Sequence, residues 1–323
     1  MTRFIARRFV SMIAVLFALS VLVFAIFFAI PGIDPARRLA GRNATPETLA
    51  AVRRAFGLNR PLPVQYWHMM DQLFVSRTLQ SYVNRGVKVV PELLAAAPVT
   101  LSLVLGATII WLAFSILLGV VAAVLRQTVW DQALMVACLV AVSVPVFWLG
   151  QVANLVSQDR WHATALFSWV PPPGYTPLTQ NPLSWFQHLV IPWIVLAAGY
   201  VGLYARVLRS ALLEVRSEDF IRTARSKGIT ERRVIVRHML RTSMSSYTSL
   251  FGLDFSALVG GGALLVEVVF GLPGIGLLTY QSLAGLDLPV IMATVLYGGA
   301  FIVIVNACVD VFYARLDPRV RRA

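Results

Sequence analysis

Apolar residues in this chain do not alternate with polar ones but come in long runs. Phe9 to Ile30 holds no charged residue, and neither does Pro98 to Leu125 or Ala133 to Val156. Leu189 to about Leu208 is charged only at Arg206, while Tyr247 to about Phe270 and Leu288 to about Tyr313 carry a few ionisable side chains. Each run reaches the length of about 20 helical residues that a hydrocarbon core requires. Lipid offers the backbone no hydrogen-bond partners, so spanning segments are helices or closed barrels. Unbroken apolar runs lack the alternation of a barrel strand. The pattern therefore predicts an all-α integral membrane bundle of six transmembrane helices, here called the first to sixth spans.

Composition agrees. The chain of 323 residues is 58% hydrophobic and only 13% charged, against roughly 25% charged in a soluble globule. A net charge of +13 raises nucleic acid as a partner. The basic residues are separated by the apolar runs and form no continuous face, which excludes that class. Arg3, Arg7 and Arg8 before the first run fit a signal peptide, but the run is too long for one and Ile30-Pro31-Gly32 is a poor cleavage site. The first run is expected to stay as a helix. Cys138 and Cys308 lie in apolar segments and read as small core residues, not as a disulfide or a metal site.

Charge gives the spans a direction. The stretch from Arg206 to Arg241 holds ten Lys and Arg, and Arg315, Arg319, Arg321 and Arg322 close the chain. Gly271–Pro289 holds none and Ser157–Gln187 one. The positive-inside rule puts both termini and the 206–241 loop in the cytoplasm. The parts are then 1–30, cytoplasmic N-terminus and first span; 31–97, an extracytoplasmic segment; 98–313, a five-helix core; and 314–323, a cytoplasmic tail. Within 31–97, Thr45 as N-cap, Pro46 at N1 and Gly57 as stop predict one short helix from Pro46 to Phe56.

The basic loop carries its own structure. Ser217 is expected to N-cap a helix running to Lys227, with Glu218 and Asp219 against its dipole and Gly228 as a left-handed stop. Phe220, Ile221 and Ala224 share one small apolar face. Thr230 is expected to cap a second short helix, the two together forming a knob. On composition alone, a helix resting on anionic lipid reads as well as a docking element.

Ile221-Arg-Thr-Ala-Arg-Ser-Lys-Gly228, followed by Arg232-Arg233-Val234 and Arg237-His238, resembles the cytoplasmic loop of dipeptide/oligopeptide-type permease subunits of bacterial ABC importers. That family's Glu-Ala-Ala-x-x-x-Gly form is kept here only as Arg222-Thr223-Ala224 before Gly228, and Ser246 stands where a proline usually closes the segment. Similar stretches run along the chain: Asp34-Pro35, Gly57 to Tyr66, Ser143-Val-Pro-Val-Phe-Trp-Leu-Gly150, Gly261 to Glu267, Phe270 to Gly276, and Leu316 to Arg321.

The resemblance implies a type I ABC-importer permease architecture in the bacterial inner membrane, with both termini cytoplasmic. It implies a homologous second permease, one or more ABC ATPase subunits that bind ATP and Mg, and an extracytoplasmic substrate-binding protein. No G-x-x-x-x-G-K-[ST] run is present, so this chain is expected to be no enzyme and to hold no cofactor or metal. Glu218, Asp219, Phe220, Ile221, Arg222, Ala224, Arg225, Lys227 and Gly228 become the expected ATPase-coupling set. In it Phe220, Ile221 and Ala224 are the buried contact, with Glu218, Asp219, Arg222 and Arg225 at the rim. The cargo is expected to be di- or oligopeptide, with nickel, glutathione or haem as alternatives.

One ionisable group stands in mid-span. A lone carboxylate there costs about 2.5–3.5 kcal/mol on insertion scales, so Asp254 should face the interior, either lining the translocation path or bonded to a neighbour. Glu267 reads as lying near the outer, hydrated end, and Gly260, Gly261 and Gly262 as allowing close helix approach. An ion-coupled carrier would need several such groups, a channel a filter-like repeat, and a membrane enzyme a clustered set. The four histidines, His68, His162, His188 and His238, are scattered.

Overall fold

The apolar runs are helices, and four of them are long, apolar and unbroken enough to cross a membrane. In the computed structural model, which describes residues 2–26, 36, 45–55, 57–84 and 86–316, these are Thr2–Phe24, Val89–Val124, Pro182–Val215 and Leu288–Leu316. They are the first, second, fourth and sixth spans. Two further crossings are bent pairs: Val129–Ser143 with Val146–Gln158, and Leu250–Gly262 with Leu264–Phe270. With each pair counted as one span the total is six. Among the described residues the only β-bridge is Gln80 with Lys88. Asp34, Pro35 and the tail after Leu316 lie outside the described residues.

The third span was expected to be continuous from Ala133 to Val156 but turns by 94° at Val144 and Pro145. Proline has no N–H to donate and drives the residue before it out of helical geometry, and Val144 is extended at φ −78, ψ 124. The fifth span turns by 48° around Gly261, whose φ of 139 suits only glycine. Its neighbour Gly260 meets the sixth span: a Cβ built on Gly298 would lie 2.8 Å from the Gly260 carbonyl oxygen. The expected close approach is there, backbone against backbone.

The second and fourth spans overrun their expected ends. They hold 36 and 34 residues, or about 50 Å each at 1.5 Å per residue, against a hydrocarbon core of about 30 Å. Hydropathy sees only the apolar part of such a helix. Arg206 and Arg209, read as the start of a loop, are therefore helical residues of the fourth span.

The chain divides into two compact units. The first comprises 1–100, 259–264 and 273–323. In it the first span packs on the sixth, and Phe24, Leu73, Leu93 and Met292 lie in its core. The helix Pro46–Ala55 is followed by the expected stop, with the Leu58 amide donating to the Arg53 carbonyl and Gly57 left-handed at φ 66; Phe56, its expected last residue, lies outside the described residues. A second helix, Leu62–Met70, was not foreseen; it buries Tyr66, Met69 and Met70. Tyr66 bonds Ser20 of the first span at 2.7 Å. The segment thus packs against the first span. It is also tied at Asp287, which accepts from the Ser81 hydroxyl and, at 3.0 Å, from the Tyr82 amide.

The second unit comprises 101–258 and 265–272. The third and fifth spans both pack on the fourth, around fully buried Trp111, Tyr204, Leu208 and Tyr247. Glu267, expected in the hydrated outer region, is fully buried here.

Candidate coupling face and mid-span site

The fourth span ends at Val215, and the chain turns at once. Ser217 does not cap the next helix as expected. Its hydroxyl donates back to the Glu214 carbonyl at 2.8 Å and closes the helix behind it. Glu218 takes the N-cap position in extended geometry, without a side-chain cap bond, and the helix runs Asp219–Ser226. Gly228 stops it at φ 73, its amide donating to Arg225 O and that of Ile229 to Ala224 O. A Cβ at Gly228 would meet nothing within 4 Å, so left-handed geometry alone favours glycine.

The expected second short helix is not separate. Thr230 makes no side-chain cap bond, and helical backbone begins at Glu231. It continues through a π-helical stretch, Val234–Met239, straight into Leu240–Ala257 of the fifth span. The knob is one short helix held at a glycine turn on the start of a long one.

Burial divides the expected contact face. Ile221 and Ala224 are buried within this chain, the helix packing on Val234–Met239 with Val234 also fully buried. They are therefore not open to a partner, a correction to the apolar face read from the sequence. Periodicity shows that a side is apolar but not what covers it. Phe220 is the exposed apolar residue, at 43%, and Glu218, Asp219, Arg222 and Lys227 are exposed around it. Asp219 and Arg222 form only a loose, solvated pair at 3.5 Å, worth little.

Arg225 behaves differently from its neighbours. Its guanidinium grips Glu231 with two hydrogen bonds, 3.1 and 2.8 Å, across the Gly228 turn. That grip holds the Glu231 carboxyl below the usual carboxylate range. The helix is thus fixed to the fifth span's beginning by a buried apolar face on one side and a planar fork on the other.

A second fork was missed by the sequence reading. Arg209 of the fourth span binds Asp131 of the third through two bonds of 2.6 Å, and the Asp131 side chain is only 3% exposed. Asp131 also accepts the Gln127 amide, and its own amide donates to Thr128 Oγ1. The Thr128-x-x-Asp131 spacing ahead of an apolar run is a capping signal that could have found it. An apolar run that begins at Ala133 places Asp131 outside the helix, whereas the helix starts at Val129.

Mid-span, Asp254 is half-buried and accepts a 2.6 Å hydrogen bond from the Tyr204 hydroxyl. Of the two readings left open, a bond to a neighbouring helix is thus present. Among the described residues no Lys, Arg or His forms an ion pair with it. Tyr204 sets its ring edge-on to Trp111 and Tyr247, with centroids 4.6 and 5.0 Å away. Trp111 also lies against Tyr200 and Phe251, and Tyr247 shares a 2.6 Å bond with Ser115. Trp111, Tyr204 and Tyr247 are fully buried, so these rings pack the interior beside the carboxylate. Among the described residues no group of three His, Cys, Asp or Glu could hold a metal ion. Both cysteines are free thiols.

The sequence matches the family model described as "Binding-protein-dependent transport system inner membrane component" over residues 115–322, and that family's N-terminal model over residues 1–104. The chain belongs to this family. It is a permease subunit of an ABC importer and a multi-pass inner-membrane protein. Over 99% of both chains the permease is 38% identical to a putative peptide transport system permease protein of Brucella abortus. It is 33% identical to a probable peptide ABC transporter permease protein of Sinorhizobium fredii, over 98% of this chain and 99% of that one. It is 35% identical to a glutathione transport system permease protein of Salmonella typhimurium, over 99% of each.

Proposed function

We propose that this permease imports di- or oligopeptides as half of a translocation path shared with a homologous second permease. Its 38% identity, end to end, to a protein named as a peptide transport permease carries this reading. An extracytoplasmic binding protein delivers cargo, and ABC ATPase subunits that bind ATP and Mg supply the energy. Both termini and the Asp219–Ser226 helix lie in the cytoplasm, as the Arg-rich edge favours. This helix is the ATPase contact. Phe220 is its apolar anchor, Glu218, Asp219, Arg222 and Lys227 its polar rim, and Ile221, Ala224, Arg225 and Gly228 hold it in place from within. ATPase motion passes on only if the joint does not slip, and the Arg225–Glu231 fork and the buried Ile221 are what stop it slipping.

Asp254 lies on the path in this reading. With one carboxylate oxygen bonded to Tyr204, the other is left for a peptide's terminal ammonium. Glutathione is the second reading, favoured by a relative of 35% identity over the whole chain. It is itself a small peptide with an ammonium group. The test is Gly228→Val in the complete transporter in proteoliposomes. Valine is strained at φ 73, so ATP hydrolysis should continue while peptide uptake falls, with membrane insertion unchanged. Normal uptake would overturn the coupling assignment.

A further inference from the structure

A cavity of about 430 Å³ opens in the second unit beside the coupling helix. Three helices meet at its rim: the second span, which ends at Val124, the fourth, which ends at Val215, and the helical run that starts at Glu231. Arg216 and Arg225 belong to the Arg-rich stretch that the positive-inside rule favours for the cytoplasmic membrane edge. Val120, Val124, Leu212 and Ile235 give it an apolar wall, and Arg216, Arg225 and Glu231 a charged rim. Val124 is 53% exposed, so the wall continues onto the outer surface of the second span.

The charges on this rim do not balance. Glu231 is committed to the two-bond fork with Arg225. Among the described residues no carboxylate pairs with Arg216, which is half-buried as the C-cap of the fourth span. Burial first, and then the like charges of Arg126 and Arg225, push its guanidinium below the ordinary arginine value, against a smaller opposing attraction from Glu231. Arg126, Arg216 and Arg225 share the one carboxylate of Glu231, and a partly desolvated cation in such an excess of positive charge is stabilised by a further anion. A small soluble anion would answer the charge but leave the apolar wall wet. An amphiphile answers both, as basic pockets between spans do for lipid headgroups.

We propose that this pocket is a site for an anionic phospholipid, its phosphate on Arg216 with Arg126 beside it and an acyl chain along Val120, Val124 and Ile235. The inference goes beyond the transport reading and needs only that this chain spans a membrane. The test uses the complete transporter in nanodiscs of mixed phosphatidylglycerol and phosphatidylcholine, with native mass spectrometry counting lipids retained per assembled complex. Phosphatidylglycerol should be retained over phosphatidylcholine. Arg216→Gln should cut that retention about fivefold, the usual weight of one basic residue near anionic lipid, and Arg216→Lys should restore most of it. Val120→Phe, which fills the wall and leaves the charges, should cut it as well. Undiminished retention in Arg216→Gln, or equal retention of the two lipids in the wild type, overturns the proposal. Because the readout is lipid and not uptake, it can fail while the coupling assignment stands, and the reverse.

Discussion

The Arg-rich edge of the second unit and its mid-span region treat a carboxylate in opposite ways. At the edge, Asp131 and Glu231 each meet an arginine through two parallel hydrogen bonds. Such planar forks fix angle as well as distance. In mid-span, Asp254 has one hydrogen bond, from a tyrosine, and aromatic faces nearby. The edge commits these two carboxylates to holding helices in one arrangement, whereas the mid-span carboxylate keeps acceptor capacity. A joint that transmits force needs the first arrangement, and a path that must bind and release cargo needs the second.

The contrast can be broken most severely at Arg209. Arg209→Met leaves Asp131 as a buried charge without a counter-charge and should cost about 3–5 kcal/mol, read as a lower melting temperature of the purified complex. Asp131→Leu together with Arg209→Met should recover most of that loss. Tyr204→Phe removes the single bond to Asp254 and should cost less, about 1.5–3 kcal/mol. If it costs as much as Arg209→Met, the two regions do not differ in the way described. Arg225→Gln opens a half-exposed fork, so stability should change by at most about 1 kcal/mol, yet uptake per ATP hydrolysed should fall. Asp254→Asn keeps an acceptor for Tyr204 and should change stability least of all. Uptake of peptides with a free terminal ammonium should still drop, and unchanged uptake would remove Asp254 from the path.

Much of the fold was legible because apolar runs of spanning length leave the backbone no other choice. The stop at Gly228 and the close approach at Gly260 were legible too, since both follow from the absence of a Cβ. The bends were harder. Pro145 and Gly261 were visible, but a bent span and a straight one share the same run of apolar residues. The Asp131–Arg209 fork joins residues 78 apart in the sequence, and nothing local to either announces the other. At the Asp219–Ser226 helix, the spacing of Ile221 and Ala224 tells which side is apolar. Whether a partner or the chain itself covers that side depends on where Val234 falls in space.

That last distinction bears on the central claim and can be measured directly. A photo-crosslinking residue placed at Phe220, and separately at Ile221, in the assembled transporter would report which side of the helix faces the ATPase. Strong crosslinks to the ATPase from position 220 and none from position 221 are predicted. Crosslinks from 221 with none from 220 would contradict the account.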